Sequence, residues 1–246
     1  MMPAPVPQTG FILQDAGYVV AGKTLLSGLS VHLTEARVGV VGRNGSGKTT
    51  LLRLLAGLIS PTAGQVRVDG IDPAKDRKAM LSRVGILFQN PDHQIIFPTV
   101  SEEIAFGLRQ QGRSDAEAEQ MALDVLARTG RTHWAGAAVS TLSQGQRQMV
   151  CLMSVLAMEP ATVLLDEPYA SLDLPARIRL ARALAGMGQR VVMISHDPAA
   201  LEGMERVLWL EGGRILQDGS PASVLGEFKA EMMRLGEADA DTDLAS

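Results

Sequence analysis

A single cysteine, Cys151, in a chain of 246 residues excludes an internal disulfide and suits a reducing compartment. Long apolar runs are also missing. The longest nearly apolar stretch, Met149–Met158, has about half of the roughly 20 residues that cross a bilayer. Nor is there an excess of positive charge: 23 Lys and Arg face 27 Asp and Glu. The acidic surplus is matched by Glu237, Asp239, Asp241 and Asp243, in a tail without Lys or Arg. Residues 1–236 are therefore formally neutral, and no global field draws the body to nucleic acid or an anionic membrane. Met1–Gly10 has three prolines but no cationic region or apolar core, so it reads as a loose extension and not a secretory signal. His32, His93 and His133 are scattered, which offers no metal-ligand cluster.

What is present is enough apolar material for a buried core, 46% against 20% charge, in one large domain or a domain with an insertion. Four short runs rich in Val and Ile, Val38–Val41, Val84–Phe88, Thr162–Leu165 and Val191–Ile194, read as buried strands. Each ends on a polar or glycine-containing element: Gly42, Gln89, Asp166-Glu167 and Ser195-His196. An open parallel α/β sheet places its ligands beyond the carboxyl ends of its strands, so this shared position is a collective sign of one site. Between the second and third runs the pattern turns helical. Ser114-Asp115-Ala116-Glu117 is a capping box opening a helix over Glu117–Arg128. Ser143 precedes a second helix with Met149, Leu152, Met153 and Leu156 on one face. Val207–Leu210 and Arg214–Gln217 flank Glu211-Gly212-Gly213 as a hairpin. The expected division is an extension at 1–10, an α/β core at 11–97 and 160–225, a helical subdomain at 98–159, and a short tail at 226–246 with a disordered acidic end.

Gly42-Arg43-Asn44-Gly45-Ser46-Gly47-Lys48-Thr49 matches the P-loop pattern, in which glycines let backbone N–H groups close around phosphate. Lys48 reaches the terminal phosphates in such a loop, and Thr49 offers a hydroxyl to Mg²⁺. A helix predicted over Thr50–Leu58 points its positive end at the same charge. Asp166 then suits the metal shell, and Glu167 is placed to polarise a water. Leu142-Ser143-Gln144-Gly145-Gln146 is by itself a helix cap, but its serine hydroxyl and the Gly145 N–H also make a second anion site. One nucleotide in one chain has no need of a second cradle. A head-to-tail dimer does.

These elements, with Ser171-Leu172-Asp173 and His196, stand in the order found in ATPase subunits of the ABC type, which the chain resembles over about residues 11–225. That resemblance implies a P-loop NTPase with a mainly parallel RecA-like sheet, an N-terminal antiparallel β part and an inserted helical subdomain. It implies ATP and Mg²⁺ as cofactors. Asn44, Gly45, Ser46, Gly47 and Thr50 join Gly42, Lys48 and Thr49 at the nucleotide, with Ser143, Gly145, Gln146 and Asp173 acting across a dimer. Gln89 resembles the glutamine that touches metal and nucleophilic water, and His196 the histidine that contacts the γ-phosphate. Two departures stand out. Gln144 replaces the first glycine of the usual signature, and Val20 occupies the place of the aromatic that stacks on adenine, with Tyr18 two residues earlier. Tyr18 is either that stacking residue or a core residue of its strand.

A narrower resemblance lies in Phe88–Phe97, Thr99-Val100 and Ala105-Phe106-Gly107. This looks like the ATPases of energy-coupling-factor (ECF) importers for vitamins and metal ions, nearest to those of biotin importers. It implies a homodimer, or a heterodimer with a paralogue, on the cytoplasmic face of the membrane. Its partners there are a transmembrane coupling protein docking near Gln89–Phe97 and a substrate-binding membrane component, with no nucleic acid. Ile95, Ile96, Phe97 and Pro98 read as an apolar docking patch. The other reading of the same motifs is a soluble ABC-type ATPase acting as an assembly scaffold, as in iron–sulfur biogenesis. Repair ATPases with coiled-coil insertions fit poorly, since only about 95 residues without heptads separate Lys48 from Ser143.

Overall fold

The computed structural model describes residues 9–237. Residues 1–8 of the extension expected at 1–10, and the acidic end after Glu237, lie outside the described residues. The chain runs β1 (Phe11–Val20), β2 (Lys23–Leu33), β3 (Arg37–Val41), α1 (Lys48–Leu55), β4 (Ala63–Val68), α2 (Arg77–Met80) and β5 (Val84–Leu87). There follow α3 (Val100–Gln110), α4 (Asp115–Arg128), α5 (Gln144–Ala157), β6 (Thr162–Asp166), α6 (Leu174–Ala185), β7 (Arg190–Ser195), β8 (Arg206–Glu211), β9 (Arg214–Gly219) and α7 (Pro221–Glu237).

The four apolar runs are β3, β5, β6 and β7, and they are neighbours in one sheet of order β5-β6-β7-β3-β8-β9. All adjacent pairs are parallel except β8–β9, the hairpin expected from its glycines. The expected α/β fold with its parallel sheet is therefore observed. Side chains alternate between two cores: Val163 and Leu165 of β6 face one, Leu164 the other. Burial on both faces explains why these strands read as continuous apolar runs. On one face pack α3, α4 and α5. On the other lie α1 and a separate antiparallel sheet of order β2-β1-β4.

Helix ends follow local chemistry. α1 begins at Lys48 and stops at Leu55, where the sequence predicts 50–58. Its early stop is a glycine cap: Gly57 takes φ +71°, and Leu58 and Gly57 N–H donate to the carbonyls of Arg53 and Leu54 at 2.9 and 3.1 Å. The Ser114–Glu117 box is made at both bonds, and such a cap contributes about 1 kcal/mol. A second box, Thr99 with Glu102, starts α3. α5 differs from the single-face expectation. Besides Met149, Leu152 and Met153 it also buries Val150, Cys151, Ser154 and Val155, because it is enclosed between α3, α4 and the sheet. α7 crosses the expected boundary at 225/226, anchored by Phe228 standing edge-on to Trp209 with centroids 5.5 Å apart.

Cys151 is fully buried on α5, and desolvation pushes its thiol up to about 12. A thiol reagent is expected to leave the native chain unlabelled over a time in which the denatured chain labels fully. Equal labelling rates would contradict the buried placement.

Candidate functional site

The carboxyl ends of β3, β6 and β7 bring together the P-loop, Asp166-Glu167 and Ser195-His196, as parallel pairing of these strands requires. The P-loop turns sharply into α1 at Gly47, whose φ of +105° lies where a side chain is strained. The far side of the loop is held by the β8–β9 turn. Gly213 N–H donates to the Ser46 carbonyl at 3.0 Å, and Arg43 pairs with Glu211 at 2.8 Å. Lys48 is only 7% exposed. Its Nζ donates to the carbonyls of Gly42 and Arg43 at 2.7 and 2.8 Å. Desolvation pulls its pKa below the ordinary lysine value, while Glu167, Asp166 and Glu211 oppose that shift. The Ser46 hydroxyl is buried and has no hydrogen-bond partner among the described residues. Thr50, the second hydroxyl in the first turn of α1, is half-buried.

Thr49 Oγ1 donates to Asp166 Oδ1 at 3.3 Å. Burial raises the Asp166 pKa from its ordinary value, with the Thr49 hydrogen bond opposing it. Two hard oxygen donors side by side at a phosphate loop fit Mg²⁺, which takes one or two protein oxygens and completes its shell with water and phosphate. Glu167 lies beyond the strand at φ +46°, a strained conformation for a residue with a side chain. Three groups hold its carboxylate: Ser195 Oγ donates at 3.1 Å, His196 N–H at 2.8 Å, and His196 Nδ1 sits 2.9 Å away. The sequence marks Ser195 only as part of a polar strand end, without its hold on Glu167. The signal for it is a hydroxyl as the last residue of an apolar strand, immediately before the histidine.

Ser143, Gly145 and Gln146 are placed elsewhere. Ser143 caps α5 in a reciprocal box with Gln146. All three line a hollow of about 330 Å³ with Arg131, Trp134, Met149, Ala176 and Arg179. Among the described residues they form no hydrogen bond to the P-loop cluster. Gln144 is the first residue of α5 and is not among the positive-φ residues, so its replacement of glycine needs no special backbone. Asp173 caps α6, accepting from Ala176 N–H at 2.8 Å. α6 thereby abuts the signature helix, because Ala176 fills the space beside Gly145.

Gln89 follows β5 and is exposed, one strand away from Asp166 because β5 pairs with β6. Tyr18 is half-buried and packs against the second core, whereas Val19 and Val20 are 44% and 46% exposed. Of the expected apolar patch, Ile95 packs against the first core and Phe97 lies against Phe106 with ring centroids 5.1 Å apart. Ile96, at 70% exposure, and Pro98 face solvent. No helix among the described residues is long and apolar enough to cross a membrane.

Comparison with known proteins bears directly on this arrangement. A family model described as ABC transporter matches residues 26–170. The biotin transport ATP-binding protein BioM of Rhodobacter capsulatus is 52% identical over 229 residues, covering 92% of this chain and 98% of that protein. BioM of Rhizobium etli is 41% identical, covering 88% and 96%. Among solved structures, cbiO1 of Clostridium perfringens, described as part of the ABC transporter complex cbiONQ, superposes with a TM-score of 0.77 at 26% identity over 95% of this chain and 97% of that one. A dimeric cassette, MJ0796 bound to ADP and Pi, superposes at 0.73 with 25% identity, covering 86% and 98%.

Proposed function

Because the chain belongs to the ABC transporter ATP-binding family, we propose that it is the ATP-hydrolysing subunit of an ECF-type importer, with biotin as the cargo. Similarity to BioM along nearly the whole length supports the transport reading. The observation that carries hydrolysis is the Glu167 carboxylate, fixed by Ser195 and His196 next to Thr49, Asp166 and Lys48. In this reading Lys48 and the loop amides neutralise phosphate charge, and Glu167 removes a proton from the attacking water. His196 orients Glu167 and meets the γ-phosphate, and Gln89 reports on the occupied site from the neighbouring strand. Thr49 and Asp166 would hold Mg²⁺, which would supply additional charge neutralisation. Gly42, Asn44, Gly45, Ser46, Gly47 and Thr50 complete the cradle.

The separation of Ser143, Gly145 and Gln146 from the P-loop cluster supports a head-to-tail dimer, in which the serine end of one protomer closes the nucleotide of its partner. Asp173 lies on the same side as that serine end. Tyr18 is turned toward the core, so we assign it to packing, and the base contacts the exposed Val19–Val20 end of β1. A neutral body docks on an integral membrane protein through apolar contacts and not by attraction to lipid. An affinity-tagged chain extracted from its native membranes in detergent is therefore expected to bring integral membrane proteins with it. About 1 M salt should leave them attached, because such salt screens surface charge but not apolar contact. Recovery with soluble proteins alone would instead support the scaffold reading.

A further inference from the structure

The loop between β5 and α3 is held by a carboxylate whose burial needs a reason. Glu103 is 5% exposed and forms no ion pair among the described residues. It sits in the first turn of α3, where the aligned backbone dipoles favour negative charge. Even so, an apolar residue in the same place would avoid the cost of desolvating a charge. What the carboxylate adds is specific. A single oxygen, Oε2, accepts from both Ile96 N–H and Phe97 N–H at 2.9 Å. On either side, Ile95 packs against the first core and half-buried Phe97 lies against Phe106, while Ile96 projects at 70% exposure.

A second hold comes from α5. Gln148 Nε2 donates to the Phe88 carbonyl at 3.0 Å, and Arg147 pairs with Asp92 at 3.0 Å. Both residues follow directly on Gln146, so the turn that caps at Ser143 and the loop that carries Ile96 share one rigid helix. We propose that Glu103 is a positioning residue that fixes Ile96 outward as the apolar knob received by an integral membrane partner. This rests on the reading of Gln89–Phe97 as the docking segment.

Three variants of the full chain, Glu103→Ala, Glu103→Gln and Ile96→Asp, separate the two ideas. Each is examined by amide hydrogen exchange at Ile96 and Phe97, by ATPase activity of the isolated chain, and by the integral membrane protein recovered with it from detergent extracts. Glu103→Ala is expected to speed exchange of those two amides at least tenfold and to reduce the recovered membrane protein more than fivefold. Isolated ATPase activity should stay within twofold. Glu103→Gln should restore both readouts, because one amide oxygen can accept both bonds. Unchanged exchange in Glu103→Ala, or a Glu103→Gln variant as impaired as it, overturns the positioning role. So does a parallel loss of isolated ATPase activity. If Ile96→Asp keeps its membrane partner, the docking reading itself fails. If Ile96→Asp releases the partner while Glu103→Ala retains it, only the role of Glu103 is overturned.

Discussion

Glu167→Gln is expected to bind ATP with near wild-type affinity and to lose roughly a hundredfold to ten-thousandfold in turnover, the range that general-base catalysis supplies. The substitution is nearly isosteric. The amide oxygen can still accept from Ser195 Oγ or His196 N–H, the groups that hold the native carboxylate, so the local backbone should survive. What disappears is the ability to take a proton from water. Single-turnover hydrolysis measured beside equilibrium nucleotide binding distinguishes the two effects. Turnover within tenfold of wild type would remove Glu167 from the catalytic role and leave it a structural brace between β6 and β7. Under the dimer reading the variant should also accumulate as an ATP-bound dimer, visible by light scattering, since closure is no longer relieved by hydrolysis.

Lys48→Ala has the opposite signature. Nζ is buried, pulled toward neutrality by desolvation and held at the loop carbonyls of Gly42 and Arg43. Phosphate is a far stronger partner than a carbonyl, so the ammonium is poised to exchange one for the other. Losing two charge-assisted hydrogen bonds costs about 3 kcal/mol, a loss of more than a hundredfold in ATP affinity. Folding stability should move little. The variant frees two carbonyls but also removes the cost of burying a cation, so a shift in melting temperature within about 4 °C is expected, equivalent to roughly 1 kcal/mol for a chain of this size. Titration calorimetry with ATP measures the first quantity and thermal unfolding the second. Retained affinity would show that the loop amides alone carry phosphate binding.

Much of this site was legible in the chain because its chemistry is local. The spacing of Gly42 to Thr49 dictates a loop that wraps backbone around an anion, whatever surrounds it. Val38–Val41, Thr162–Leu165 and Val191–Ile194 could be read as strands because burial on both faces removes alternation and leaves unbroken apolar runs. Other features resisted for equally physical reasons. Ser195 is one hydroxyl at a strand end, and its bond to Glu167 spans 28 positions. The pattern Ile95-Ile96-Phe97-Pro98 looks uniformly apolar, yet Ile95 packs against the core and Phe97 against Phe106, while Ile96 and Pro98 are exposed. The boundary expected at 225/226 falls inside α7, where contact between Phe228 and Trp209 holds the helix against β8. Tyr18 reads from the sequence as either an adenine-stacking or a core residue, and its half-buried position against the second core supports packing.

By itself the sequence determined the parallel α/β plan, the phosphate loop, the carboxylate pair beyond β6, and the absence of disulfides and of a net-charged body. These follow from composition, period and short spacing, which act within a few residues. Only the tertiary structure decided which strand ends converge, that Ser143 lies apart from the P-loop of its own chain, and that Glu103 is buried to hold Ile96 out. Those outcomes depend on contacts between distant segments, where the free energy of packing two cores against one sheet overrides what any single stretch prefers.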